Sequence, residues 1–214
     1  MKKGSTGRPP LTAAAVAAAR QQFLKAEPRA LFYRAATSLV GFALDGTLKD
    51  MSVGEAIAVL LQTWNVTYYR FNQNFNEAHV RELEVLIDRS QSVLLNLRKR
   101  TIDTFSEHEC PMLEDVFKSF ESLLGPVGAV KALHLLAPQF FPLWDNPIAR
   151  GYGCTLTPGR NATRYLRFLR IAVEQVRELR THDQHLRDPV KALDEINFVT
   201  FTIPMLAARK AKKK

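Results

Sequence analysis

The stretch Leu123-Leu-Gly-Pro-Val-Gly-Ala-Val-Lys-Ala-Leu-His-Leu-Leu-Ala-Pro-Gln-Phe-Phe-Pro-Leu-Trp-Asp145 decides how the rest of the chain is read. It begins as the end of one helix and turns at Gly125-Pro-Val-Gly128. It resumes as a second helix from about Val127 to Leu136, which stops before Pro138. Glycine accepts the backbone angles of a tight turn. The N–H groups that open the second helix have no intrahelical partners and are ready for an anion such as a phosphate. Two readings stay open: a plain helix–helix turn with a glycine cap, or a turn that grips phosphate.

Helical spacing continues in both directions. Leu11 to Lys25 is alanine-rich, with Thr12 as its N-cap. Pro28 restarts the chain, and Ala30 to Leu44 is a second helix ended by Asp45-Gly46. Ser52 with Glu55 makes a capping box for a helix from Val53 to Trp64. Glu77 to Arg89 puts Val80, Leu83, Leu86 and Ile87 on one face, and Gln91 to Arg100 continues it. Pro111 starts a helix through Leu124 that turns Leu113, Val116, Phe117 and Phe120 inward. Downstream, Asp145 caps a short helix through Arg150, Pro158 opens one to Arg180, and Pro189 opens one to Asn197. Val66 to Phe71 and Phe198 to Ile203 have strand-like composition, but two short segments do not make a sheet. The spacing predicts an all-α fold. It is either one compact helical domain over 11–208 or two lobes, 11–110 and 111–208, around a cleft. Basic tails, 1–10 and 209–214, flank it.

The chain has 214 residues, 46% hydrophobic and 24% charged, which excludes wholesale disorder. Cys110 and Cys154 make neither a disulfide framework nor a four-cysteine metal site, and suit a reducing, cytoplasmic setting. No apolar run approaches the roughly 20 residues of a membrane span. The net charge of +9 resides mostly in the tails: residues 9–208 hold 22 basic and 21 acidic side chains. Such tails either hold a polyanion without sequence specificity or only aid solubility. His182-Asp-Gln-His185 and His108-Glu-Cys110 are too thin for a metal site. No P-loop, dinucleotide fingerprint or zinc motif is present, so neither metal nor cofactor is expected.

Within 123–145, Gly125 to Lys131 and the later Trp144-Asp145 before Asn146-Pro147 resemble the helix-hairpin-helix DNA glycosylases. The resemblance implies a hairpin that grips the DNA backbone through Gly125, Val127 and Gly128. It implies a lysine, Lys131, early in the second helix, and a catalytic aspartate, Asp145, capping the helix after the next loop. That family's hairpin reads Leu-Pro-Gly-Val-Gly-x-Lys. Here it reads Leu-Gly-Pro-Val-Gly-Ala-Val-Lys, which moves the lysine one residue and rotates it by roughly 100°. Among such enzymes, antiphage glycosylases acting on modified phage DNA are one home that the resemblance implies.

The chemistry also follows from residue types. Cleaving an N-glycosidic bond builds positive charge on the sugar, and a fixed carboxylate such as Asp145 stabilises it and orients water. Lys131, as a neutral amine, would instead attack the sugar carbon and form a Schiff base. A base drawn out of a duplex needs stacking partners and hydrogen bonds to its edge. Trp64, Asn65, Tyr68, Tyr69 and Trp144 offer these, with His134 one turn beyond Lys131; core is the first reading for each aromatic taken singly, and a hydrogen-bonded core residue the first reading for His134. Segment 146–180 carries Arg150, Arg160, Arg164, Arg167, Arg170, Arg177 and Arg180 against Glu174 and Glu178. On a helix from Pro158, Arg160, Arg164 and Arg167 form one stripe, suited to phosphate backbones or to pairing with glutamates. The sequence therefore favours a monomeric glycosylase of double-stranded DNA that uses an aspartate-activated water. A non-catalytic helical nucleic-acid-binding protein and a helical adaptor or regulator are the rival readings.

Overall fold

A computed structural model describes residues 7–26, 29–71 and 75–211. Lys2, Lys3, Pro28 and Lys212 to Lys214 lie outside the described residues. In chain order the helices are α1 (Ala13–Ala26), α2 (Arg29–Leu44), α3 (Val53–Trp64), α4 (Val66–Phe71) and α5 (Glu77–Arg98). They continue as α6 (Cys110–Leu136), α7 (Asn146–Gly151), α8 (Asn161–His182), α9 (Pro189–Asn197) and α10 (Ile203–Ala211). Two single 3₁₀ turns, Ile102–Thr104 and Glu107–Glu109, precede α6. Among the described residues there is no strand, so the fold is all-α as the spacing predicts.

The chain groups into two compact units that ignore the expected 110/111 division. A central unit spans Leu31–Phe141, and a terminal unit joins Met1–Ala30 to Pro142–Lys214. In the central unit α3, α5 and α6 pack together, burying Ile57, Leu61, Leu83, Leu97, Phe117, Phe120 and Leu133. The capping box is present: Ser52 accepts from the Glu55 N–H, and Glu55 accepts from the Ser52 N–H at 2.7 Å. In the terminal unit α1 and α8 both pack on α9, and Phe23 meets Phe198 edge-on at 5.4 Å. Burying one such large side chain contributes roughly 1.5–3 kcal/mol, so these clusters dominate the stability of each unit.

Both segments of strand-like composition are helical. Val66–Phe71 forms α4, because its N–H groups bond back within the chain and no strand lies alongside to pair with. Phe198–Thr202 is a single wide π turn linking α9 to α10. It sits just before Pro204, whose ring would clash with the carbonyl four residues back in a regular helix. The long helix expected from Pro158 begins at Asn161 instead. Gly159 turns the chain at φ 73°, and Asn161 Oδ1 accepts from the Thr157 N–H at 2.7 Å.

Candidate nucleic-acid interface

The turn at Gly125 breaks α6 into two helical segments. Gly125 has φ 68° and ψ 168°, a region closed to side-chain-bearing residues, and Pro126 opens the second segment. A break of this kind strands the last carbonyls of the first segment. Here Tyr68 donates its hydroxyl to the Leu123 carbonyl at 3.0 Å, and Asn65 Nδ2 donates to the Leu124 carbonyl at 3.4 Å. The same side chains fill the space above both glycines. A Cβ on Gly125 would stand 2.8 Å from the Tyr68 ring, and one on Gly128 would stand 2.7 Å from Asn65 Nδ2. Gly125 and Gly128 are buried, and Val127 is half-buried. The glycines thus serve a close approach of α6 to the α3–α4 junction.

Lys131 continues this arrangement. Its Nζ donates to the carbonyl of Trp64, the last residue of α3, and lies 5.4 Å from the Trp64 ring centroid. A cation at a helix C-terminus is favoured by the exposed carbonyl dipoles. Tyr69 turns the other way, its hydroxyl 3.0 Å from His79 Nε2. Burial pushes the Tyr69 phenol up to about 12 and lowers the His79 imidazole. Tyr69 therefore donates as a neutral hydroxyl and His79 accepts as a neutral ring. His134 is fully buried. Its Nδ1 sits 2.7 Å from the Phe141 carbonyl, which can only accept, so Nδ1 carries the proton. Nε2, at 3.0 Å from the Tyr33 hydroxyl, is then the acceptor.

The other candidates lie in the terminal unit. Trp144 is 1% exposed, with ring centroids 5.6 Å from Tyr165 and 6.5 Å from Phe168. It belongs to the core there. Asp145 follows it in extended conformation and caps α7, its Oδ1 accepting from the Ile148 N–H at 3.0 Å. The carboxylate is half-buried and oriented by the backbone it caps. Arg150, in the last turn of α7, is exposed, as are Arg160 and Arg167. Arg160 sits at the N-cap position of α8 and not within it, so the expected stripe is a flank and a face. Arg164 is half-buried and donates to the Thr155 carbonyl. Burial raises the Cys154 thiol, while the charges of Arg167 and Arg164 pull it down; the thiol is fully buried.

Between Asp145 and Glu174 the chain holds five arginines and no acid. Glu174 itself is engaged by Arg8 from the N-terminal segment, an ion pair the sequence gives no sign of. Burial pushes the nearby Tyr152 phenol up to about 12, and its hydroxyl donates to Asn197 Oδ1 at 2.6 Å. The candidates thus fall into two sets. Trp64, Asn65, Tyr68, Gly125, Gly128 and Lys131 come together in the central unit, with Tyr69 and His134 each bonded separately there. Asp145, Arg150, Arg160, Arg164 and Arg167 belong to the terminal unit. Among the described residues, no group of three His, Cys, Asp or Glu side chains could hold a metal ion, and no helix is long and apolar enough to cross a membrane. Searches against protein families, curated proteins and solved structures match nothing to this chain.

Proposed function

We propose that this chain binds DNA along α7 and α8 and removes a modified or damaged base by cleaving its N-glycosidic bond, with Asp145 as the carboxylate at the sugar. The observation that carries the reading is the setting of Asp145. The backbone N–H of Ile148 fixes its carboxylate, and the sequence that follows carries five arginines before the next acid, Glu174. Arginine neutralises backbone phosphates by paired hydrogen bonds and supplies affinity. A fixed carboxylate at the head of the basic segment is the group that stabilises positive charge on a sugar. Capping is worth about 1 kcal/mol, and a serine or asparagine would supply it without the charge.

In the reaction the bond from the sugar C1′ to the base breaks and leaves positive charge on the sugar. Asp145 stabilises that charge and takes a proton from an attacking water. The water oxygen bonds C1′, the base leaves with its bonding pair, and the proton taken up by Asp145 returns through solvent to the departing base. Lys131 donates to the Trp64 carbonyl, an arrangement that uses its ammonium as a donor and not as a nucleophile. The reading therefore assigns water as the nucleophile and an intact abasic site as the product.

The test is incubation with duplexes carrying oxidised, alkylated and phage-type modified bases, followed by assay for abasic sites. Asp145→Asn keeps the cap and removes the charge. Base release should fall at least about 100-fold while duplex binding persists. Full activity in that variant would end the mechanism, and a borohydride-trapped adduct lost in Lys131→Gln would replace water with the amine. A second reading, DNA binding without catalysis, is favoured by one observation: Trp64, Asn65, Tyr68 and Tyr69 all spend polar groups on internal partners. Duplex binding with no base released from any substrate would select it.

A further inference from the structure

Glu174 is the first acid on α8, and it follows the arginine run directly. It lies one turn beyond Arg170 and two beyond Arg167, on the side where Arg167 is exposed. A bare carboxylate there would end the positive face and repel a phosphate. Arg8, from the segment that precedes α1, pairs with it. The placement of Arg8 is anchored: Pro9 is buried, and Leu11 is 4% exposed in the core of the terminal unit. Arg8 thus stands against Glu174 of α8, within one unit.

We propose that the N-terminal segment is an arm of the polyanion-binding face, in which Arg8 cancels Glu174. The positive line from Arg160 along α8 then runs on to residue 174, roughly 21 Å at 1.5 Å per residue. The inference rests on the proposed binding of DNA along α7 and α8, and names a further part of that surface. The Arg8 and Glu174 side chains are 51% and 61% exposed, so their pair adds little to stability. Its effect is electrostatic: a negative point is removed from a positive surface, and further lysines are tethered close by. Lys2 and Lys3 precede Arg8 by six and five residues, a chain length that keeps them within about 20 Å of it. The occupant that suits such a face is a rod of regularly spaced phosphates, a duplex nucleic acid, since a line of charge matches repeated anions better than it matches one.

The experiment is a cycle of Arg8→Ala, Glu174→Gln and the double variant in the full chain, read on two probes. A 20-base-pair duplex is titrated at several salt concentrations, and heparin chromatography gives the salt needed for elution. Arg8→Ala should weaken duplex binding about 3–10-fold at moderate salt and lower the salt slope by about 1. Glu174→Gln should bind as tightly as the unaltered chain or more tightly. The double variant should return to within about twofold, because the charge that Arg8 cancels is gone. Wild-type affinity in Arg8→Ala, or a double variant as weak as Arg8→Ala, would overturn the arm. The two probes keep the inferences apart. The same rescue on heparin with no duplex binding would keep the arm and remove DNA as the partner. Duplex binding that Arg8→Ala leaves unchanged would keep DNA and remove the arm.

Discussion

The turn at Gly125 in the central unit and the loop at Gly153 in the terminal unit use nearly the same backbone angle, φ 68° and φ 67°, in opposite surroundings. At Gly125 the Tyr68 ring fills the space a side chain would need, and the carbonyls freed by the break are bonded by Tyr68 and Asn65. At Gly153 a side chain would meet nothing within 4 Å, and the flanking segments carry Arg150 and Arg160 exposed. The first turn is closed by its own fold, whereas the second stands in a basic, open stretch. A glycine at positive φ thus serves close packing at one turn and leaves open space at the other. The turn that looks most like a phosphate loop in sequence has its carbonyls and both glycine faces covered from within.

The comparison breaks most sharply at the two glycines. Gly125→Ala puts a Cβ in a glycine-only region and against the Tyr68 ring, which must leave the Leu123 carbonyl. Strain of about 1–3 kcal/mol and a lost hydrogen bond of about 1 kcal/mol give an expected destabilisation of about 3 kcal/mol. Gly153→Ala meets strain alone and should cost about 1 kcal/mol. Urea unfolding of both variants measures the contrast, and equal losses would show that packing over Gly125 contributes nothing. Next in size is the effect on binding. Replacing Arg160, Arg164 and Arg167 together by alanine should weaken duplex binding about 10–100-fold and flatten its salt dependence, with the tails removed from both proteins. Lys131→Ala should leave the salt slope where it was, because its ammonium serves the Trp64 carbonyl. A slope that falls as much as with an arginine variant would move the interface to the central unit.

The smallest expected effects separate the units by pH. His79 in the central unit titrates below its ordinary 6.5 because burial disfavours the charged ring. The unfolded chain then takes up its proton first, so that stability is full above about 6.5 and falls as the pH drops below it. Glu195 in the terminal unit is raised by burial, against the charges of Lys191 and Arg20. Its folded form holds the proton longer, so this contribution is full below the ordinary 4.5 and is lost as the pH rises through the folded value. Thermal unfolding from pH 4 to 8 of His79→Gln and Glu195→Gln should flatten opposite limbs. A change on the same limb in both would contradict the burial argument.

Most of the fold was legible because its signals are local. The Ser52–Glu55 box, Asp45-Gly46, the cap at Asp145 and the apolar spacing of α5 all act within a few residues of themselves. What stayed hidden depends on partners far along the chain. The helical state of Val66–Phe71 goes with Tyr68 reaching Leu123 and Tyr69 reaching His79. The place of Trp144 as core was among the readings its type allowed, but only Tyr165 and Phe168 around it decide the matter. The pairing of Arg8 with Glu174 joins residues 166 positions apart, and no spacing rule reaches that far.

The wide turn at Phe198–Thr202 has a consequence in angular terms. Helical hydrogen bonding runs without a gap from Pro189 to Ala211, so α9, the turn and α10 form one path that carries an added residue. Each residue turns a helix by about 100°, and the added one offsets every later side chain by that angle against a regular helix. It sets the side of α10 on which Leu206 meets the protein and Arg209 stands in solvent. Removing Thr200 would unwind that offset and swing the direction of the C-terminal positive charge by about 100° around the helix axis.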